Sequence, residues 1–337
     1  MLDTVKKLCS LSGVSGYEDE VRTYIMKAAA ASADEVKTDC MGNVMAFKKG
    51  KKPGGKTVML CAHMDEVGLI VTGIEDDGYL RFACVGGIDR RVLIGKKVFV
   101  GDAHIPGITG IKAYHLVSKE EEKNVPKVED MYIDIGAGSR EQAEKLVRLG
   151  APVSFDGVCR EFGDGYLKAK ALDDRVGCAA MLKLLERELP TDTWFVFSVQ
   201  EEVGCRGASA AAFGIAPDVA LILEGTTAAD LPEVGAGKKI CELGHGVVIP
   251  FMDGGTIYNR ELTALLSRLA DENGIAWQTK KRIAGGTDAS VIQRGTGGTA
   301  VAALSCAIRN IHSPVSVAKI ADFESMPVLA EMFLNNV

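Results

Sequence analysis

The sequence has no apolar run approaching the roughly 18 residues of a membrane-spanning helix, so no such span is expected. It has no excess of positive charge. A net charge of -6 argues against nucleic acid or an anionic membrane as the main partner. The N-terminal stretch MLDTVKKLCSLSG lacks the basic region and apolar core of a signal peptide, so secretion by that route is not expected. There is no CxxC pair. Nine cysteines stand singly at 9, 40, 61, 84, 159, 178, 205, 241 and 306, most of them among small apolar residues. That dispersed, odd-numbered set excludes a disulfide framework and reads as buried thiols in a reducing cytoplasm. No thiolate metal site is expected from it. Internal repeats and low-complexity tracts are also missing.

What is there describes an ordinary globular chain. Its 337 residues, 47% hydrophobic and 25% charged, are enough for about two domains. Residues 2–11 and 17–32 have helical spacing, the second with Ser15 or Gly16 as a start signal ahead of acidic residues. Residues 37–47 alternate around a Gly42-Asn43 turn, and KKGKKPGGK reads as a solvated loop. From 67 to 162 short β-like runs follow one another between glycine-rich turns: GLIVTGIE, GYLRFACVG, KKVFVG, IPGITGI and MYIDIGA. Such runs predict a small barrel or sandwich, interrupted by one short helix over 138–149. From Ala171 onward apolar strands alternate with amphipathic helices, which predicts an α/β fold, a mostly parallel sheet flanked by helices. The expected organisation is one α/β domain, 1–66 and 163–337, with a β-barrel inserted at 67–162.

One apolar run is broken where a core strand should be most apolar. VMLCAHMDEVGLIV, residues 58–71, carries His63, Asp65 and Glu66 in its middle. Ionisable groups are costly in a core unless something pairs with them. Other runs end the same way: KAKAL leads into Asp173-Asp174, WFVFSVQ into Glu201-Glu202, VALILE ends at Glu224, and ALSCAIRNI leads into His312. In α/β sheets the crevice beyond the strands' carboxyl ends is where ligands sit. Two imidazoles and several carboxylates there suit one or two divalent ions, zinc, cobalt or manganese. Taken singly each has a plainer explanation: a hydrogen-bonded core histidine, acids at a helix start, a solvated turn. Their recurrence at successive strand ends is what favours a metal site. A dinuclear hydrolase also needs a carboxylate free of metal to take a proton, which the Glu201-Glu202 pair can supply. Asp65, two residues after His63, is placed to hydrogen-bond that histidine from behind.

AHMDEVGL, ALDDRVGC, VQEEVGCRGA, GGTDA (285–289) and RNIHSP (309–314) together resemble the tetrahedral, or TET, aminopeptidases. These are cytoplasmic metallopeptidases also called glutamyl aminopeptidases or endoglucanase-M-like proteins. The motifs run in the family's order from the first helix to the last. The resemblance implies that His63, Asp173 and Glu224 hold one ion, and that Asp173 bridges to a second held by Glu202 and His312. It further implies Glu201 as general base and Asp65 as the catalytic aspartate behind His63. Where the family usually has Asp, this chain has Glu224, an arm longer by one methylene. In RNIHSP an asparagine, Asn310, also follows Arg309 where an aromatic is commoner. The inserted segment is implied to be a PDZ-like dimerisation barrel, and twelve subunits to form a hollow tetrahedron that admits peptides. The expected activity is removal of N-terminal amino acids from peptides. Its rivals are a related metal-dependent deacylase or carboxypeptidase, and a non-catalytic metal-binding scaffold. A glycosidase fits poorly, since it needs no histidine-rich set.

Overall fold

The computed structural model describes residues 1–52 and 54–337. The loop expected at KKGKKPGGK includes Pro53, which lies outside the described residues. The chain opens with helices α1 (Leu2–Ser10) and α2 (Asp19–Ala29), then strands β1 (Glu35–Thr38), β2 (Val44–Lys48) and β3 (Val58–His63). A barrel follows: β4 (Gly68–Ile74), β5 (Leu80–Val85), β6 (Lys97–Val100), β7 (Ile105–Gly110), β8 (Tyr132–Asp134) and β9 (Pro152–Phe155). Helix α3 (Arg140–Glu144) sits between its last two strands. The remainder begins with β10 (Arg160–Phe162), β11 (Tyr166–Ala169), α4 (Leu172–Leu185), β12 (Thr193–Ser198), α5 (Arg206–Ile215) and β13 (Val219–Thr227). It continues with β14 (Val247–Val248), α6 (Arg260–Glu272), β15 (Trp277–Gln278), α7 (Ala289–Ile292) and β16 (Ala300–Arg309). Strand β17 (Ser316–Lys319) and helices α8 (Ile320–Glu324) and α9 (Met326–Leu334) close the chain.

The large sheet runs β1-β2-β12-β3-β13-β16-β17-β11-β10. Its centre, β12-β3-β13-β16, is parallel throughout, and its margins are antiparallel, so the sheet is mixed. Every residue of β3 is buried, because helices cover both faces. The two-residue period is visible in the packing. Val58, Leu60 and Ala62 enter one core with α1, α2, α4, α6, α8 and α9, while Met59 and Cys61 enter another with α5 and α7. The barrel closes in the order β4-β5-β8-β7-β6-β9 around its own core of Leu69, Val71, Leu80, Val98, Ile133 and Val153.

Three details depart from the sequence pattern. Strand β9, whose PVSF carries little alternation, completes the barrel and was not evident as a strand. Helix α2 starts at Asp19 behind Glu18, not at Ser15 or Gly16. The Ser15 hydroxyl is instead committed to Asp65 Oδ2 at 2.6 Å. Five of the nine cysteines are buried, whereas Cys84, Cys159 and Cys205 are half-buried and Cys40 is exposed; all nine are free thiols.

Candidate metal centre

The parallel strands deliver their carboxyl ends to one place. His63 is the last residue of β3, Glu224 lies within β13 just past its pairing with β3, and Glu201-Glu202 occupy the turn after β12. His312 lies in the turn after β16. Asp173 and Asp174 sit at the start of α4, where the backbone is not yet helical and the peptide joining them is cis. Ala171, Gln200 and His312, in the turns that deliver these groups, hold left-handed φ values of 52°, 56° and 54°. Each such non-glycine residue costs about 1–3 kcal/mol and persists where surrounding structure over-determines it.

Two sets of donors result, sharing one residue. His63 Nε2 lies 3.4 Å from Asp173 Oδ1 and 3.3 Å from Glu224 Oε1. His312 Nε2 lies 3.4 Å from Asp173 Oδ2 and 3.2 Å from Glu202 Oε2. Each oxygen of Asp173 therefore faces a different imidazole. Asp174 borders the same cleft: its Oδ1 accepts from the Gly177 amide at 3.0 Å, and it offers an oxygen within 4.8 Å of donor atoms of His63 and Glu224. Glu201 stands to the side, with Oε2 4.0 Å from His63 Nε2. Two glycines make the close approach possible. A Cβ on Gly225 would lie 2.6 Å from Asp173 Oδ1, and one on Gly177 would lie 2.5 Å from both Asp174 oxygens.

The donor set fits divalent ions. Ligands about 2.0–2.2 Å from a tetrahedral zinc stand roughly 3.3–3.6 Å from one another. The four imidazole-to-carboxylate spacings, 3.2–3.4 Å, are close to that size. Asp173 Oδ1 and Asp174 Oδ2 are buried with no hydrogen-bond partner among the described residues, which is costly for a carboxylate without a cation.

The protein's own electrostatics point the same way. Burial raises Glu202 to about 8, with Asp173 beside it, and Glu201 to about 7, with Asp288 and Asp173 near. Burial and Asp174 push Glu224 well above the usual carboxylate range. Burial would lower both histidines, but the carboxylates outweigh it; Asp173 and Glu202 raise His312 to about 9, and Glu224 leads in raising His63. Asp173 is held low against its burial by the two imidazoles. So many acids sharing one proton-hungry cleft is the signature of a place for added positive charge.

Each imidazole is braced from behind. His63 Nδ1 lies 3.2 Å from the Asp65 carbonyl and 3.4 Å from Asp65 Oδ1. Because β3 ends at His63, Asp65 reaches the ring from the following turn, not from the same face of a strand. It does more than the sequence suggested: Oδ1 and Oδ2 also accept the amides of Glu201 and Glu202, at 3.0 and 3.2 Å. His312 Nδ1 is 3.0 Å from the carbonyl of Gly87, which follows β5 of the barrel. Glu66, the third ionisable residue of the broken run, is paired elsewhere. Lys170 Nζ donates to its two oxygens at 2.5 and 2.7 Å, and Arg175 lies 3.6 Å away.

Five partners were given no such role by the sequence. Lys170 inside the apolar KAKAL and Arg175 inside a buried helix were the available signals for a paired Glu66. Nothing in the sequence marks the Gly87 carbonyl. Asp288 of GGTDA is buried, its Oδ2 accepting from Ser198 Oγ at 2.5 Å. Cys205 Sγ donates to Glu201 Oε1 at 3.3 Å, and burial with Asp288 and Glu201 nearby pushes that thiol far up.

The family model for the M42 glutamyl aminopeptidases matches residues 42–329. A sequence from Acetivibrio thermocellus is 41% identical over 327 residues, 96% of each chain. The lysyl aminopeptidase of Pyrococcus furiosus is 35% identical over 99% of this chain and 97% of its own. Among solved structures, an aminopeptidase from the archaeon Desulfurococcus kamchatkensis superposes with a TM-score of 0.95 at 37% identity, covering 99% of this chain and 94% of its own. The TET1 peptidase of Pyrococcus horikoshii superposes at 0.89 and 34% identity over 100% and 99%. The chain belongs to the M42 glutamyl aminopeptidase family and is a metal-dependent aminopeptidase.

Proposed function

We propose that this enzyme removes N-terminal amino acids from peptides at a dinuclear centre. His63 and Glu224 would hold one divalent ion, His312 and Glu202 the other, with Asp173 offering one oxygen to each. The carrying observation is the Asp173 carboxylate, whose two oxygens stand 3.4 Å from two different imidazoles. Bound there, zinc, cobalt or manganese supplies Lewis acidity toward a carbonyl and toward water. Glu201 is the general base: its Oε2 points to the cleft, and its raised affinity for a proton suits taking one from water and returning it to the leaving amine. Asp65 positions this machinery, holding His63 and the Glu201-Glu202 turn with one carboxylate. Five carboxylates, Asp173, Asp174, Glu201, Glu202 and Glu224, face two histidines. That surplus of negative charge favours a substrate's α-ammonium group over a blocked terminus.

The same reading extends to assembly and location. The P. horikoshii TET1 peptidase can assemble into a tetrahedron or a large octahedral shell. By analogy the 67–162 segment is a dimerisation domain, and dimers build a tetrahedral dodecamer that admits peptides. In the inserted segment Tyr114 and Leu116, two residues apart, are exposed at 79% and 59%, which supports a surface there that self-association covers. Nine unpaired cysteines support a cytoplasmic setting.

Glu201→Gln is the test. Both ions should remain by elemental analysis, and turnover of an aminoacyl p-nitroanilide should fall about 10²–10⁴-fold. Unchanged turnover with metal retained would reject the base, and equal hydrolysis of the N-acetylated substrate would reject the exopeptidase. Light scattering on the same preparation reads the assembly, where a mass near the single chain's 35.8 kDa would contradict the dodecamer.

A further inference from the structure

Behind the general base lies a second cluster of donors that the dinuclear centre does not use. Glu201, Cys205 and Asp288 each present one ligand atom, and these three atoms lie within 4.8 Å of one another. The cluster is assembled from two directions. Glu201 and Cys205 come from the turn between β12 and α5, where Cys205 holds a left-handed φ of 54° and its sulfur lies 3.3 Å from Glu201 Oε1. Asp288 comes from the start of α7, behind the sheet.

The donors are free to serve. Asp288 is 1% exposed, and its Oδ2 is already taken by Ser198 Oγ and by Cys61 Sγ at 3.6 Å. Its Oδ1 is buried with no partner among the described residues, an uncompensated acceptor of the kind a bound cation relieves. Among the described residues Glu201 Oε1 accepts only from the Cys205 thiol, 3.3 Å away, while Oε2 is the oxygen on the His63 side. The Cys205 sulfur also accepts from Ser290 Oγ at 3.9 Å. One sulfur and two carboxylate oxygens at this spacing form a mixed soft and hard set, which selects zinc or cadmium over magnesium, calcium or manganese.

We propose that Glu201, Cys205 and Asp288 form a third cation site, selective for a thiophilic divalent ion, whose filling switches the peptidase off. An entering ion takes lone pairs of Glu201 Oε1 and Asp288 Oδ1 and the sulfur of Cys205, and the thiol proton leaves to solvent. No electron is transferred. Glu201 is then bound to a cation and can no longer accept a proton from water. The inhibitory half of this inference rests on Glu201 being the general base; the binding half does not. Its consequence is a peptidase that needs low concentrations of metal and is inhibited by an excess of the thiophilic ones.

The test uses the metal-loaded enzyme titrated with cadmium, read by thiolate-to-metal charge-transfer absorption and by turnover of an aminoacyl p-nitroanilide. Cys205→Ser keeps a hydroxyl donor for Glu201 while removing the soft ligand, and Cys205→Ala removes both. The wild-type minus Cys205→Ser difference spectrum isolates this sulfur from the other eight thiols. The expected result is a saturable difference band whose titration coincides with loss of activity. Both substitutions should raise the half-inhibiting cadmium concentration, measured against each variant's own starting rate, by about tenfold or more. Cadmium that merely displaces ions from the dinuclear centre inhibits wild type and variants alike, and that outcome overturns the proposal. Absence of a Cys205-dependent band overturns the site whatever Glu201→Gln does to turnover. A Cys205-dependent band that saturates while activity stays constant overturns its inhibitory role.

Discussion

The two halves of the metal centre carry the same donors, one imidazole and one carboxylate beside a shared Asp173, yet they are built differently. The His63 half lies inside the sheet. His63 and Glu224 are 1% and 4% exposed, and Asp65, itself sealed from solvent, braces the ring with a charged group. The His312 half sits at the rim. Its imidazole is 34% exposed, stands in a left-handed turn, and is braced only by a neutral carbonyl reached from the barrel side. A charged brace in a dry site raises ligand basicity and fixes the ring; a single carbonyl on a surface turn does so less. The account therefore assigns tight holding to the inner half and easier exchange to the outer one.

Breaking each half separately gives the largest effects. His63→Ala and His312→Ala should each lower turnover on the order of 10³-fold, because each removes a ligand of an ion that supplies several kcal/mol. Stability is where they should part. His63→Ala takes from buried Asp173 one of its two imidazoles and from buried Glu224 the imidazole beside it, and should cost about 3–5 kcal/mol in chemical denaturation of the metal-free protein. His312→Ala, at a third exposure, should cost under about 1 kcal/mol. Equal losses would erase the distinction between inner and outer halves.

A smaller effect sharpens the comparison through pH. In the metal-free protein Glu201 and Glu202 are raised from 4.5 to about 7 and about 8, and His312 from 6.5 to about 9. A group with a raised pKa binds more protons folded than unfolded, so stability falls as pH rises. The chelated protein should thus lose melting temperature steadily between pH 4.5 and about 8, most of it from the carboxylates. Bound ions replace those protons and should flatten the slope. A melting temperature that rises with pH over this interval after chelation would contradict the reading of the cleft as over-supplied with acid.

How much of this the sequence disclosed follows from where the information lies. His63, Glu224 and Glu201-Glu202 were legible because each ends or interrupts an apolar run, a local pattern. The parallel centre of the sheet was legible for the same reason: β3 and β13 read as fully buried runs. The barrel's last strand was not, since PVSF has no alternation to see. Nor was the outer brace, because a backbone carbonyl at Gly87 leaves no trace in residue type and acts across 225 positions. Gly225 and Gly177 looked like ordinary turn and helix glycines; only the coordinates show that a side chain there would displace a carboxylate. Asp65 was legible as a partner of His63, but its hold on the Glu201 and Glu202 amides spans 136 and 137 positions and needed the fold.

The bridge is the claim on which the two halves depend, and anomalous diffraction from crystals grown with cobalt or zinc reads it directly. Two peaks are predicted, one flanked by His63 and Glu224, the other by His312 and Glu202, with one Asp173 oxygen directed at each. A single peak, or a pair in which Asp174 and not Asp173 lies between the ions, would contradict it.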